Sequence, residues 1–196
     1  MIYFTSDPHY WHANVIKLCN RPFASVEEMN DAMIKNWNSV VKPEDTVYCL
    51  GDFSLALRPA EIYTKILNGT KYLVPGNHDF CQSYHKKSRN AEKRKEWIAK
   101  YEEWGWKVLP EQTTLDIPGV ATVNMCHHPY VLIGPYDDKY KAWRPKDDGR
   151  WLICGHVHEK WKIAGRMINV GVDVWDFKPV PITEIEKIIC SSSIVQ

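Results

Sequence analysis

In the first half of the chain, short apolar runs alternate with stretches whose apolar residues recur at helical spacing. Residues 2–6, 46–50 and 71–75 read as buried strands. Between them, helices are expected over residues 11–19, over 26–39, and from Pro59 to a stop at Asn68-Gly69. The second of these carries a capping box, Ser25 with Glu28, and places Met29, Met33, Ile34 and Trp37 on one face. Strand, helix, strand, helix, strand predicts parallel pairing with right-handed crossovers. Residues 82–103 are highly charged, with Trp97, Tyr101 and Trp104 at helical spacing, and read as a solvated amphipathic helix. From Trp106 onward the pattern changes to short strands at 107–109, 113–117 and 120–126, with Pro118-Gly119 as a hairpin turn. A long loop is expected at 134–149, then strands at 151–154, 161–164 and 167–170. A last helix begins near Thr183, with Glu186 completing a capping box. The pattern predicts an α/β fold, a two-sheet α/β sandwich in one domain over residues 1–196.

Chemistry gathers where these strands end. Asp7-Pro8-His9, Gly51-Asp52, Gly76-Asn77-His78-Asp79, His127-His128-Pro129 and Gly155-His156-Val157-His158 each close a strand-like run. In parallel α/β sheets, ligands bind outside the carboxyl ends of the strands. Asp7, His9, Asp52, Asn77, His127, His156 and His158 form a mixed oxygen and nitrogen donor set suited to manganese, iron, zinc or nickel. It contains no thiolate, which argues against a structural zinc site. The set exceeds what one tetrahedral ion needs and suits two ions ~3.5–4 Å apart with a shared carboxylate, for which Asp52 is the natural bridge. Asp-x-His and His-x-His would each project to one side of an extended strand. His127 and His128, being adjacent, would point oppositely, so only one is expected to ligate. Gly76 is expected to permit the tight turn that aims its neighbours.

Composition narrows the class. The 196 residues are 44% hydrophobic and 25% charged with a formal net charge of +1, which fits a globular protein and gives no global case for polyanion binding. The six cysteines stand singly, and Cys49, Cys126 and Cys154 lie inside apolar runs, so reduced core thiols are expected rather than disulfides. The first residues lack a signal-peptide pattern, and no stretch reaches the ~18–20 apolar residues of a membrane span. A soluble, cytoplasmic protein is the expectation.

The order Asp-x-His, Gly-Asp, Gly-Asn-His-Asp, His before Pro, and Gly-His-x-His resembles the calcineurin-like metallophosphoesterase superfamily. The run from Phe4-Thr5-Ser6-Asp7 through His12-Ala13-Asn14 to Asn20-Arg21-Pro22-Phe23 resembles its small bacterial and phage members. Pro8-His9-Tyr10-Trp11 is bulkier than usual after the first motif. The resemblance implies that Asp7, His9, Asp52 and His158 hold one divalent ion, manganese first among the candidates. Asp52, Asn77, His127 and His156 would hold the other, with His128 a neighbour. It further implies that a hydroxide bridging the ions attacks phosphorus, that His78 assists the leaving oxygen, and that Asp79 orients His78.

The expected substrate is a phosphodiester of a small nucleotide; a phosphomonoester is the rival, with a nuclease or a non-catalytic binding module less favoured. Arg21, Arg144 and Arg150 are candidate phosphate contacts. Tyr136, Tyr140, Trp143 and Arg144 interleave aromatics with a base, and either stack a nucleobase or pack against the core. His12 and Asn14 either line the pocket or cap a helix.

Overall fold

The computed structural model describes residues 1–88, 90–133 and 140–192. β1 (Ile2–Thr5), β2 (Thr46–Cys49), β3 (Thr70–Leu73) and β4 (Trp106–Val108) are successive parallel neighbours. Helices α1 (Ala13–Leu18) and α2 (Val26–Val40) connect β1 to β2, α3 (Leu57–Ile66) connects β2 to β3, and α4 (Ala91–Trp104) connects β3 to β4. The second sheet contains β5 (Gln112–Ile117), β6 (Ala121–Cys126), β7 (Leu152–Cys154), β8 (Ile163–Ala164) and β9 (Met167–Asn169), in the order β5-β6-β7-β9-β8. The chain then returns to the first sheet, where β10 (Val180–Pro181) pairs antiparallel with β1, and finishes in α5 (Ile182–Ser192).

The two-sheet α/β sandwich expected from the sequence is the fold observed. α2 begins with half of its expected capping box: Ser25 Oγ accepts from Glu28 N at 3.1 Å, while Glu28 Oε2 accepts from Ala24 N, one residue before the cap. Two elements depart from expectation. α4 starts at Ala91 rather than near residue 82, because Asn90 caps it by accepting from Lys93 N at 2.9 Å. Upstream, Gln82 Oε1 takes Tyr84 N and Glu111 takes Ser83 N, so side chains satisfy amides that a helix would have used. α5 starts at Ile182, directly after β10, which puts Thr183 inside its first turn instead of at the cap. β4, grouped by pattern with the later strands, joins the first sheet because α4 returns it alongside β3.

Alternation on the strands separates two cores. Val47, Cys49 and Leu73 face Met29, Met33, Trp37, Ala60 and Tyr101 of the helices. Phe4, Leu50 and Val74 face Val123, Met125, Ile153 and Ile168 across the sandwich. Each such side chain, fully buried, contributes about 1.5–3 kcal/mol. With both faces covered, the place left for polar side chains is the edge where the strands end. The cysteines are free thiols, with Cys49, Cys81, Cys126 and Cys154 buried. No helix among the described residues is long and apolar enough to cross a membrane.

Candidate metal centre

Backbone hydrogen bonding continues past the strands into the turns that carry the donors. Asp7 N donates to Gly51 O, His9 N to Asp52 O and Tyr10 N to Phe53 O, all at 3.0–3.1 Å. The donors therefore do not sit on extended strands. Asp7, His9, Asp52, His156 and His158 have φ of +56°, +53°, +54°, +70° and +49°. Left-handed backbone, not strand alternation, turns Asp7 and His9, and His156 and His158, toward one centre. Such conformations cost on the order of 1–3 kcal/mol each and persist where surrounding bonds fix them. Gly76 serves by closeness rather than by φ: a Cβ there would strike Asp52 Oδ1 and Asp52 N, and one on Gly51 would strike the Gly76 backbone.

The centre of the cluster is Asp52. Its Oδ2 lies 3.5 Å from His9 Nε2, 3.5 Å from His127 Nε2 and 3.9 Å from His78 Nε2, while its Oδ1 accepts from His78 N at 2.8 Å. On one side, Asp7 Oδ1 stands 3.7 Å from His9 Nε2 and 3.8 Å from His158 Nε2. On the other, His127 Nε2 meets Asn77 Oδ1 at 3.1 Å and His156 Nδ1 at 3.2 Å.

Tautomers follow from partners. His127 Nδ1 lies 2.7 Å from Leu50 O; a carbonyl only accepts, so Nδ1 carries a proton and Nε2 is the nitrogen that faces Asp52 and Asn77. His158 Nδ1 donates to Asp173 Oδ2 at 3.1 Å, which leaves Nε2 as the nitrogen turned toward Asp7.

These residues fit divalent cations. Asp7 Oδ1 and His9 Nε2 are buried with no hydrogen-bond partner, a costly state that a cation relieves. Asp7, His9 and His158, and separately Asp7, Asp52 and His127, bring donor atoms within 4.8 Å of one another.

Burial sets the electrostatics. It pushes the Asp52 carboxyl up to about 6, Asp7 adding to the effect and His78 opposing it. Burial also acts to raise Asp7, but the neighbouring His158 and His9 hold it well below the usual range. His9 is driven well below its usual value by burial, and His156 to about 3 by burial and His127. Burial disfavours charge on His158, yet Asp7 and Asp173 push it up to about 11. The result is that His9 and His156 are held neutral beside the buried carboxylates of Asp7 and Asp52, an arrangement that bound cations compensate.

Asp79 does not meet the His78 ring. Its carboxylate accepts from Asp52 N (2.8 Å), Gly76 N (2.9 Å) and Phe53 N (3.2 Å), fastening one strand-end turn to the next. Burial and Asp52 push it up to about 7, while the amides of Gly76 and Asp52 pull it back. His78 itself is half-exposed at the mouth of the cluster. His128 is buried, hydrogen-bonds through Nε2 to Tyr84 Oη and stacks on Tyr140 at 5.1 Å.

Arg21 is a correction. Its guanidinium spends all five donors on Asp173 (two), Pro8 O, Asp7 O and the Met29 sulfur, and its side chain is inaccessible. It braces the Asp7 turn and Asp173 instead of meeting phosphate. His12 lines a cavity beside His9, with the two Nδ1 atoms 3.2 Å apart, and makes no side-chain cap. Asn14 is exposed on α1 and stays off that cavity, because the helix turns Val15 and Leu18 toward it. Arg144 is half-buried and close enough to His128 to disfavour its charge. Arg150 pairs with Asp148 at 3.5 Å. Tyr136 and the rest of 134–139 lie outside the described residues.

Asp173 and Tyr84 also contribute, through His158 and His128 respectively. Asp173 follows Gly171-Val172 just beyond β9, so a further Gly-x-Asp at a strand end was the available signal. Tyr84 lies in the stretch expected to be helical; Asn90, a capping residue, is the sign that the helix starts later.

The fold and the donor cluster together define an α/β protein with His and Asp side chains that could hold a metal gathered at the strand ends. The chain belongs to the calcineurin-like phosphoesterase superfamily, whose domain model matches residues 1–174. An uncharacterized protein of Methanocaldococcus jannaschii is 34% identical over all of this chain and 94% of its own length. The gene 66 protein of Mycobacterium phage L5 is 33% identical over 88% of this chain and 86% of its own. The crystal structure of a protein of unknown function from Aquifex aeolicus has a TM-score of 0.70 at 28% identity, covering 96% of this chain and 99% of that one. Membership implies metal-dependent hydrolysis of a phosphate ester.

Proposed function

We propose that residues 1–196 act as one domain that hydrolyses a phosphodiester of a small nucleotide with two divalent metal ions. The observation that carries this reading is Asp52 Oδ2, 3.5 Å from both His9 Nε2 and His127 Nε2, with a donor set on either side. Asp7, His9, His158 and Asp52 would hold one ion; Asn77, His127, His156 and Asp52 would hold the other, manganese being the first candidate and iron, nickel or zinc the others. When bound, the ions neutralise phosphate oxygens and lower the pKa of water toward neutrality.

The chain's own side chains do the rest. Asp173 and Leu50 O keep His158 and His127 in the tautomer that presents Nε2. Asp79 and Arg21 hold the turns in register. His78, half-exposed at the mouth with its amide anchored on Asp52, donates a proton to the leaving oxygen.

The test is hydrolysis of bis(4-nitrophenyl) phosphate and 4-nitrophenyl phosphate after chelation and stepwise return of manganese, nickel, iron or zinc. Metal-stimulated turnover with preference for the diester is expected. Preference for the monoester transfers the site to phosphomonoester chemistry, and no metal-stimulated turnover overturns the enzymatic reading.

A further inference from the structure

Two unlike cavities meet at His78, which lines both, as does Tyr140. One, of about 390 Å³, runs past His9 between α1 and the turn after β7, walled by Val15, Leu18, Leu132 and Val157. The other, of about 400 Å³, lies on the Asn77 side, walled by Tyr84, Tyr140 and Trp143, with Lys86 adding positive charge.

The aromatic wall is built, not incidental. Tyr84 is hydrogen-bonded to buried His128 and its ring lies 4.1 Å from that of Trp143. Tyr140 stacks on His128 and meets the His156 ring edge-on at 5.2 Å. Trp143 remains 37% exposed, leaving indole surface toward solvent. Rigid π faces beside a cation favour a planar, electron-rich group, whereas the first cavity offers the methyl and methylene surface of Val15, Leu18, Leu132 and Val157 alongside Glu159 and Lys160.

We propose that the two cavities receive the two ester arms of one phosphodiester: a nucleobase-bearing arm against Tyr84 and Trp143, and an apolar arm between α1 and the turn after β7. The assignment rests on the diesterase reading and goes beyond it by making Trp143 and Leu18 specificity-determining. A phosphate held at the donor cluster beside His78 has one arm directed to each side. A monoester would leave one cavity unused.

The experiment compares kcat/KM for thymidine 5′-(4-nitrophenyl phosphate) and methyl 4-nitrophenyl phosphate in the manganese-loaded enzyme. Trp143→Ala is expected to lower the ratio of the first to the second by roughly tenfold, the effect of losing one base-stacking face, and Trp143→Phe to restore most of it. Leu18→Glu is expected to raise KM for both esters, since both place 4-nitrophenyl in the apolar cavity. An unchanged ratio in Trp143→Ala, or unchanged KM in Leu18→Glu, overturns the assignment. Should only 4-nitrophenyl phosphate be cleaved, the diesterase reading and the two-arm assignment both fail. The aromatic cavity is then read separately, by inhibition: Trp143→Ala should weaken thymidine 5′-monophosphate about tenfold more than inorganic phosphate. Equal weakening removes the base-binding role as well.

Discussion

The two halves of the donor cluster are built differently. Asp7, His9 and His158 include a carboxylate of their own, and their support is ionic: His158 leans on Asp173, and Asp173 on Arg21 at 2.7 Å. Asn77, His127 and His156 include no carboxylate, and His127 Nδ1 is steadied by the backbone carbonyl of Leu50. Charge gathered on one side needs a buried counter-charge, because an unpaired ion in a dry interior is costly. Neutral donors need only an acceptor that keeps the right nitrogen bare. The first half should therefore hold its ion more tightly, and the second should exchange more readily.

Breaking the shared element has the largest expected effect. Asp52→Asn should bring turnover down to the metal-free background and leave less than one ion per chain by elemental analysis; full occupancy with normal activity would remove Asp52 as the bridge. His78→Ala leaves both halves standing: metal content should stay near that of the wild type while kcat falls about 10²–10⁴-fold. Loss of metal in that variant would move His78 from proton transfer to ligation.

Arg21→Met strips Asp173 of its buried partner and should cost about 3–5 kcal/mol in urea unfolding. A raised KM without lost stability would return Arg21 to phosphate binding. Asp173→Asn is subtler. It should weaken the first half's ion about 10–100-fold in chelator titrations and leave the second unchanged, so that the two halves release metal at closer concentrations. Equal weakening of both would show that the halves are one network. Asn14→Ala, on the exposed face of α1, should change stability by less than ~0.5 kcal/mol and leave turnover alone.

The site was readable to the depth that side-chain chemistry is local. Asp7, His9, Asp52, Asn77, His127, His156 and His158 stand in short motifs beside apolar runs, and the folded chain brings those donors to one edge. Their supports were not readable, since each depends on a distant partner. Arg21 looks like a phosphate contact until Asp173, far along the chain, takes its guanidinium. Asp79, next to His78 in sequence, turns away to hold the amides of Asp52, Phe53 and Gly76. Tyr84 sits in a charged stretch that resembles a helix, until Gln82 and Glu111 claim the amides and Asn90 moves the start.

The alternation of strands and helices, the two-sheet fold and the donor inventory were determined by the amino-acid sequence, because periodicity and residue type act over a few positions. Only the tertiary structure decided how the donors face one another, which nitrogen each imidazole presents, and which cavities flank His78. Left-handed turns, buried ion pairs and close glycine contacts have no local signature; they are stable only because segments far apart in sequence meet and bond.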